Sequence, residues 1–194
     1  WVGNTNVVGG ENCLCLNVWS AAAPGGRRPV LVWMPGGGFM RGDAGESLYD
    51  GQGFAHQGVV FVSFNYRVGV DGFMHLPGAP DNRGLLDQLA ALRWVKENIS
   101  AFGGDPDAIT VGGSSAGAGA LTCLLGLQAS QGLFRRVILQ SPSVSCQSAE
   151  EAALTARCWV CPCHNGPSPM HPCMPWCGPW PAWRQTMSCG TGLA

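Results

Sequence analysis

Ile109-Thr110-Val111-Gly112-Gly113-Ser114-Ser115-Ala116-Gly117-Ala118-Gly119-Ala120-Leu121 is the stretch on which the reading of the whole chain turns. A short β-branched run meets two glycines, then a serine, then an alanine-rich segment that carries Leu121, Leu124 and Leu125 at helical spacing. That order predicts a strand, a sharp turn and a helix. Gly113-Ser114-Ser115-Ala116-Gly117 fits G-x-S-x-G, in which a serine sits on a turn so tight that side chains two residues to either side would collide. The helix N-terminus opening behind Ser115 also favours negative charge developing beside it. In a chain with 29 glycines the five-residue pattern alone carries little weight. The strand before it and the helix after it make Ser115 a candidate nucleophile.

Outward from that stretch the same alternation continues. Leu14–Trp19, Val30–Met34, Val59–Phe64 and Val137–Leu139 are further strand candidates. Several are almost continuously apolar, which suits a mostly parallel sheet covered by helices on both faces. Leu85, Leu86, Leu89, Leu92, Trp94, Val95 and Ile99 recur at helical spacing, and Gly103-Gly104-Asp105-Pro106 ends that helix with breakers before the strand leading to the serine. Trp19, Trp33 and Trp94 read as core. Pro35-Gly36-Gly37-Gly38-Phe39 follows the strand Val30–Met34. Three glycines there let backbone N–H groups face a ligand unobstructed, as an oxyanion loop requires. Each such donor contributes about 3 kcal/mol where acyl transfer builds charge on oxygen.

Composition narrows the partners. Over 194 residues the formal net charge is -1 and only 12% of residues are charged, which offers no basic face to nucleic acid or to an anionic membrane. No run approaches the roughly 18 apolar residues of a spanning helix, and residues 1–30 lack the plan of a signal peptide. Because the chain begins at Trp1, it is expected to be a piece of a longer protein, and a missing leader then carries no information. Six of the ten cysteines fall between Cys158 and Cys189, which argues against one disulfide scaffold running through the chain.

The blocks Glu11–Trp19, Gly36–Phe39, Asn65-Tyr66-Arg67-Val68-Gly69, Asn82–Gln88, Phe102–Pro106, the serine turn and Leu133–Arg136 before Gln140-Ser141 together resemble the type-B carboxylesterase and cholinesterase family. The resemblance implies an α/β-hydrolase fold, incomplete at its C-terminal end, in which Ser115 attacks an ester carbonyl. It further implies that the N–H groups of Gly37, Gly38 and Ala116 hold the oxyanion, that an acyl-enzyme forms and is hydrolysed, and that no cofactor or metal takes part. By the same resemblance Arg67 and Asp87 form a buried ion pair near the site. Cys13 would pair with an upstream cysteine that this chain does not contain. The partner implied is a small-molecule ester. Three positions depart from the family pattern: Pro35 stands where bacterial relatives often have His, Gly112 replaces a common Phe, and Ser114 replaces a Glu whose carboxylate lies beside the site in relatives.

A serine hydroxyl is a weak nucleophile until a histidine accepts its proton and an acid orients that histidine. In this fold the chain order is serine, acid, histidine. After Ser115 come only Glu150, Glu151, His164 and His171, none in a matching context, while His56 and His75 precede it and read as surface or packing residues. The triad is therefore expected to be incomplete here. Residues 1–157 read as the N-terminal part of the hydrolase domain. Residues 158–194, with seven prolines, four tryptophans, six cysteines and no acid, show no period that builds a packed element. That tail is expected to be irregular or translated out of frame. Cys161-Pro162-Cys163-His164 and His171 through Cys177 have zinc-ligand chemistry, but their spacings match no zinc finger. Two other readings of the same motifs stand beside the hydrolase: a non-catalytic cholinesterase-like binding domain, and an inactive fragment.

Overall fold

The computed structural model describes residues 13–143 and 146–160. Residues up to Ser148 belong to one unit built on a five-stranded sheet, in the order β1-β3-β2-β4-β5. The strands are β1 (Leu16–Trp19), β2 (Arg28–Met34), β3 (Val60–Phe64), β4 (Gly104–Ser114) and β5 (Arg136–Gln140). β3, β2, β4 and β5 run parallel to their neighbours, and β1 lies antiparallel on β3. The sheet is mostly parallel, as the apolar runs implied.

The sheet's centre is where burial drives assembly. Val30, Val32 and Met34 of β2, Val60, Val62 and Phe64 of β3, and Ile109 and Val111 of β4 are all at most 1% exposed. Against them pack Leu89, Leu92, Val95 and Ile99, which follow at three- and four-residue intervals from the long helix α3 (Arg83–Asn98) into the short 3-10 turn after it. The helix that follows Ser115, α4 (Ala116–Leu125), adds Leu121 and Leu124 to the same core. Leu86, on the other side of α3 from that stripe, is 45% exposed. Trp19, Trp33 and Trp94 are half-buried, and of the three Trp94 packs against the core cluster. Trp19 lies against Phe61 at the sheet's β1 side, and Trp94 against Phe102.

One boundary differs from expectation. The breakers Gly104-Asp105-Pro106 do not precede β4 but begin it. The β2–β4 ladder pairs Arg28 with Gly104 and then jumps to Val30 with Ile109, so the proline sits in a bulge where its missing N–H costs no ladder bond. Lys96 Nζ holds the bulge by donating to the Pro106 carbonyl at 2.8 Å.

Two short helices, α1 (Gln52–His56) and α2 (Gly69–Phe73), complete this unit's larger elements. Arg83 fastens α2 to α3: its guanidinium, buried with the rest of the residue, donates to the carbonyls of Val70, Asp71, Met74 and Pro80. A separate unit begins at Ala149 and contains the helix α5 (Ala149–Val160). That helix has Glu150 and Glu151 in its first turn and Arg157 near its end, the charge order that suits the helix dipole. It crosses the compositional boundary at 157/158. From residue 161 onward the tail, with its cysteines, His164 and His171, lies outside the described residues.

Candidate active site

Ser115 stands at the C-terminal end of β4, immediately before α4, with φ 51° and ψ -118°. A non-glycine residue held there is strained by about 1–3 kcal/mol, and that strain is what turns the side chain out of the strand; the residue is exposed. Its backbone is pinned on both sides. Ser115 N–H donates to the Gln140 carbonyl of β5 at 2.9 Å, and its own carbonyl accepts from Gly119 at 2.8 Å and Ser143 at 3.3 Å. The flanking glycines answer to backbone packing. A Cβ on Gly113 would come within 2.7 Å of the Gly117 carbonyl carbon, and one on Gly117 would run into the Met34 carbonyl oxygen. Gly112, where the family resemblance leads one to expect Phe, has its space filled by the Trp33 indole, 2.6 Å from where a Cβ would stand.

The loop Pro35–Phe39 lies directly behind this turn. A Cβ on Gly36 would sit 2.8 Å from the Ser114 carbonyl oxygen and 3.3 Å from the Ser115 Cβ. Gly37, Gly38 and Phe39 all have positive φ, 130°, 65° and 60°, so the peptide planes rotate out of the strand geometry of β2. The loop is held from three directions. The Tyr66 hydroxyl donates to the Pro35 carbonyl at 2.7 Å, Gly69 N–H donates to the Phe39 carbonyl at 2.6 Å, and the Phe39 ring meets Phe73 edge-on at 5.0 Å. Burial, with Tyr49 beside it, pushes the Tyr66 phenol well above its ordinary pKa, so it stays a neutral donor.

Among the described residues, the N–H groups of Gly37, Gly38 and Ala116 donate to no other residue. Three backbone donors are thus left free on the loop and on the first residue of α4, the two segments that meet at Ser115. Orphan N–H groups at a helix start are ready for an anion.

Arg67 and Asp87 form a bidentate pair, Nε to Oδ2 at 2.8 Å and Nη2 to Oδ1 at 2.7 Å, and Asp87 Oδ2 also accepts from the Arg67 N–H at 3.0 Å. The Asp87 hydrogen bonds hold the guanidinium's pKa above its usual value. The pair is buried on its acidic side only: the Asp87 side chain is 8% exposed and that of Arg67 37%. Its place is structural, fixing the start of α3 to the segment that follows β3.

Tyr49 is the residue that sequence reasoning missed. Burial, the largest influence, raises its phenol's pKa overall, against the opposing pull of the neighbouring Gly36 N–H and Ser114 side chain. Ser114 therefore meets a phenol where the family's glutamate would put a carboxylate. A tyrosine ten residues beyond Phe39 carries no local mark of that meeting.

The described histidines are elsewhere. His75 Nδ1 lies 2.8 Å from Asp81 Oδ1 beyond α2, and His56 Nε2 lies 3.5 Å from the Gln52 amide within α1. No described histidine or carboxylate hydrogen-bonds the Ser115 hydroxyl. The described residues hold no cluster of three or more histidine, cysteine or carboxylate groups suited to a metal, and no described helix is long and apolar enough to cross a membrane.

The family model described as the carboxylesterase family matches residues 2–161. The para-nitrobenzyl esterase of Bacillus subtilis (strain 168) is 47% identical over 155 residues, covering 77% of this chain and 32% of that protein. The fumonisin B1 esterase of Sphingopyxis macrogoltabida is 48% identical over 144 residues, 70% of this chain and 27% of that one. Among solved structures, a thermophilic para-nitrobenzyl esterase superposes with a TM-score of 0.74 at 47% identity, over 78% of this chain and 32% of that one. A Geobacillus stearothermophilus carboxylesterase does so with a TM-score of 0.69 at 53% identity, over 74% and 34%. The chain spans about a third of the length of the curated relatives it matches.

Proposed function

Because the chain belongs to the carboxylesterase family, we propose that it carries the nucleophile and oxyanion-hole part of a carboxylic-ester hydrolase, with Ser115 as the attacking residue. The observation that carries this reading is the strained Ser115 at φ 51°, with three undonated N–H groups on the two segments that meet there. In the reaction, the Ser115 Oγ adds to the ester carbonyl. The carbonyl oxygen becomes an oxyanion held by the N–H groups of Gly37, Gly38 and Ala116. The alcohol then leaves with a proton, and water hydrolyses the acyl-serine by the same route in reverse. The proton needs a base on Ser115, and the described residues offer none. The acid and histidine are proposed to belong to the part of the relatives' length that this chain does not span.

A domain that only binds would have no use for a strained serine backed by free donors, since strain of about 1–3 kcal/mol persists where a function requires it. An inactive fragment predicts the same local geometry without labelling at the serine.

The test uses two proteins: the chain as it stands, and a chimera in which residues 13–141 replace the matching segment of the Bacillus subtilis para-nitrobenzyl esterase. The chimera is expected to hydrolyse a chromogenic carboxylic ester and to react with a fluorescent organophosphonate, with both lost in Ser115→Ala. The chain alone is expected to label on the order of 10⁶-fold more slowly, the loss that follows removal of the triad's base. A chimera that folds, unfolds cooperatively and neither labels nor turns over would sink the reading.

A further inference from the structure

Among the described strands β5 pairs only with β4, and one bond tells which way each peptide of β5 points. Ser115 N–H donates to the Gln140 carbonyl, so Gln140 turns its backbone groups toward β4. Because peptides alternate along a strand, Ile138 and Arg136 turn theirs the same way, whereas Val137 and Leu139 present N–H and C=O to the open side. Neither of those two outward amides donates to any other described residue. The side chains along this rim are apolar and uncovered: Ile138 is 41% exposed and Leu139 39%. A row of unanswered backbone groups flanked by apolar side chains is a template for another strand.

We propose that this rim is the contact surface of a homodimer, in which β5 pairs antiparallel with β5 of a second copy about a twofold axis through Ile138. The strand's own pattern selects that occupant. Arg136 stands at its first position and Gln140 at its last, with Val137, Ile138 and Leu139 between them. Turned end for end upon itself, the strand sets Arg136 opposite the partner's Gln140, Val137 opposite the partner's Leu139, and Ile138 opposite its own mate. Each pairing of Val137 with Leu139 exchanges both N–H···O bonds, and the two Ile138 residues meet in the non-hydrogen-bonded position, with Cα atoms about 4.5 Å apart. Parallel pairing would instead set Arg136 against Arg136, and like charges directly opposite destabilise a pair. Pairing of β5 with another copy's β1 would leave an open rim at each end and grow a filament, whereas the twofold contact closes; the four residues of β1 are all half-buried and offer no exposed apolar run to match. Because Gln140 also holds the Ser115 peptide, the second copy stiffens the strand on which the serine turn leans. The inference rests on the sheet's rim and stands whether or not Ser115 acts on esters.

The experiment follows the full chain through a concentration series by analytical ultracentrifugation, in reductant so that no cysteine cross-link contributes, with hydrogen exchange read at the dilute and concentrated ends. A monomer–dimer equilibrium that goes no further is expected. The Val137 and Leu139 amides should exchange several-fold more slowly at the concentrated end, while the Ile138 amide, already bonded to β4, changes less. Ile138→Lys and Ile138→Glu should each weaken dimerisation about tenfold by setting like charges face to face, and an equimolar mixture of the two should recover most of that loss, since a twofold through this position brings the opposite charges together. Both variants should keep the parent's unfolding midpoint, which marks the loss as one of association. A chain that stays monomeric throughout, a series that grows beyond the dimer, or a mixture no tighter than either variant overturns the proposal. So does equal protection of Val137 and Leu139 at both ends of the series, which would mean that this chain's own residues cover the rim.

Discussion

β3 and β5 are five-residue strands in the same sheet, each parallel to a central neighbour, yet every residue of β3 is buried while four of the five in β5 are exposed. Composition does not explain the contrast, since Val-Phe-Val-Ser-Phe and Arg-Val-Ile-Leu-Gln both hold three or more apolar side chains. Neighbours do. β3 lies between β1 and β2 and beneath the apolar face of the core, whereas among the described strands β5 pairs only with β4. The site straddles the difference. The glycine loop proposed to hold the oxyanion grows from buried β2, while the peptide of Ser115 leans on Gln140 at the end of exposed β5. One support is set by burial, the other by a few backbone hydrogen bonds.

Phe64→Ala is the largest perturbation expected. Phe64 is 1% exposed at the end of β3, and truncating a buried phenylalanine costs about 3–5 kcal/mol through lost transfer energy and the cavity left behind. Urea denaturation should show the midpoint falling sharply or the transition disappearing. A loss below ~1 kcal/mol would mean that β3 and β5 are equally dispensable, and would break the comparison.

Gly117→Ala comes next, because it attacks the junction itself. The added methyl meets the Met34 and Pro35 carbonyl oxygens, which are backbone and cannot rotate away. Overpacking of this kind costs about 1–3 kcal/mol. More tellingly, it must push the serine turn off the glycine loop, so organophosphonate labelling in the chimera should fall further than stability does. Equal losses would place the effect in general unfolding rather than in the seam between β2 and α4.

How much of this the sequence displays depends on how local the cause is. β2, β3 and the turn at Ser115 are legible because continuous apolar runs and paired glycines are local signals, and α3 is legible through its three- and four-residue spacing. The start of β4 is not, because a proline among glycines reads as a break, and only the register jump between Arg28 and Val30 makes room for it as a bulge. Gly112 is visible as a departure from the family pattern, but its reason, the Trp33 indole, is a contact between neighbouring strands. Tyr49 beside Ser114 escapes for the same reason: it is a meeting of distant segments that leaves no pattern in either. The half-burial of Trp19 follows from its place at the end of β1, the outermost described strand on that side, which residue type alone does not reveal.

The smallest effect on stability is expected at β5, and it sharpens the contrast best. Ile138 and Leu139 are 41% and 39% exposed beside a strand edge that no described strand covers. An uncovered edge with apolar side chains is a template for pairing with another chain. Ile138→Lys removes little buried area, so it should change the unfolding free energy by no more than about 0.5 kcal/mol, while placing a charge that opposes edge-to-edge pairing. Light scattering against concentration should then show less self-association than the unsubstituted chain, whereas Val62→Lys at the buried centre of β3 should destroy the fold instead. If Ile138→Lys also unfolds the chain, β5 is buried in solution by something beyond the described residues, and the support under Ser115 is as firm on that side as on the other.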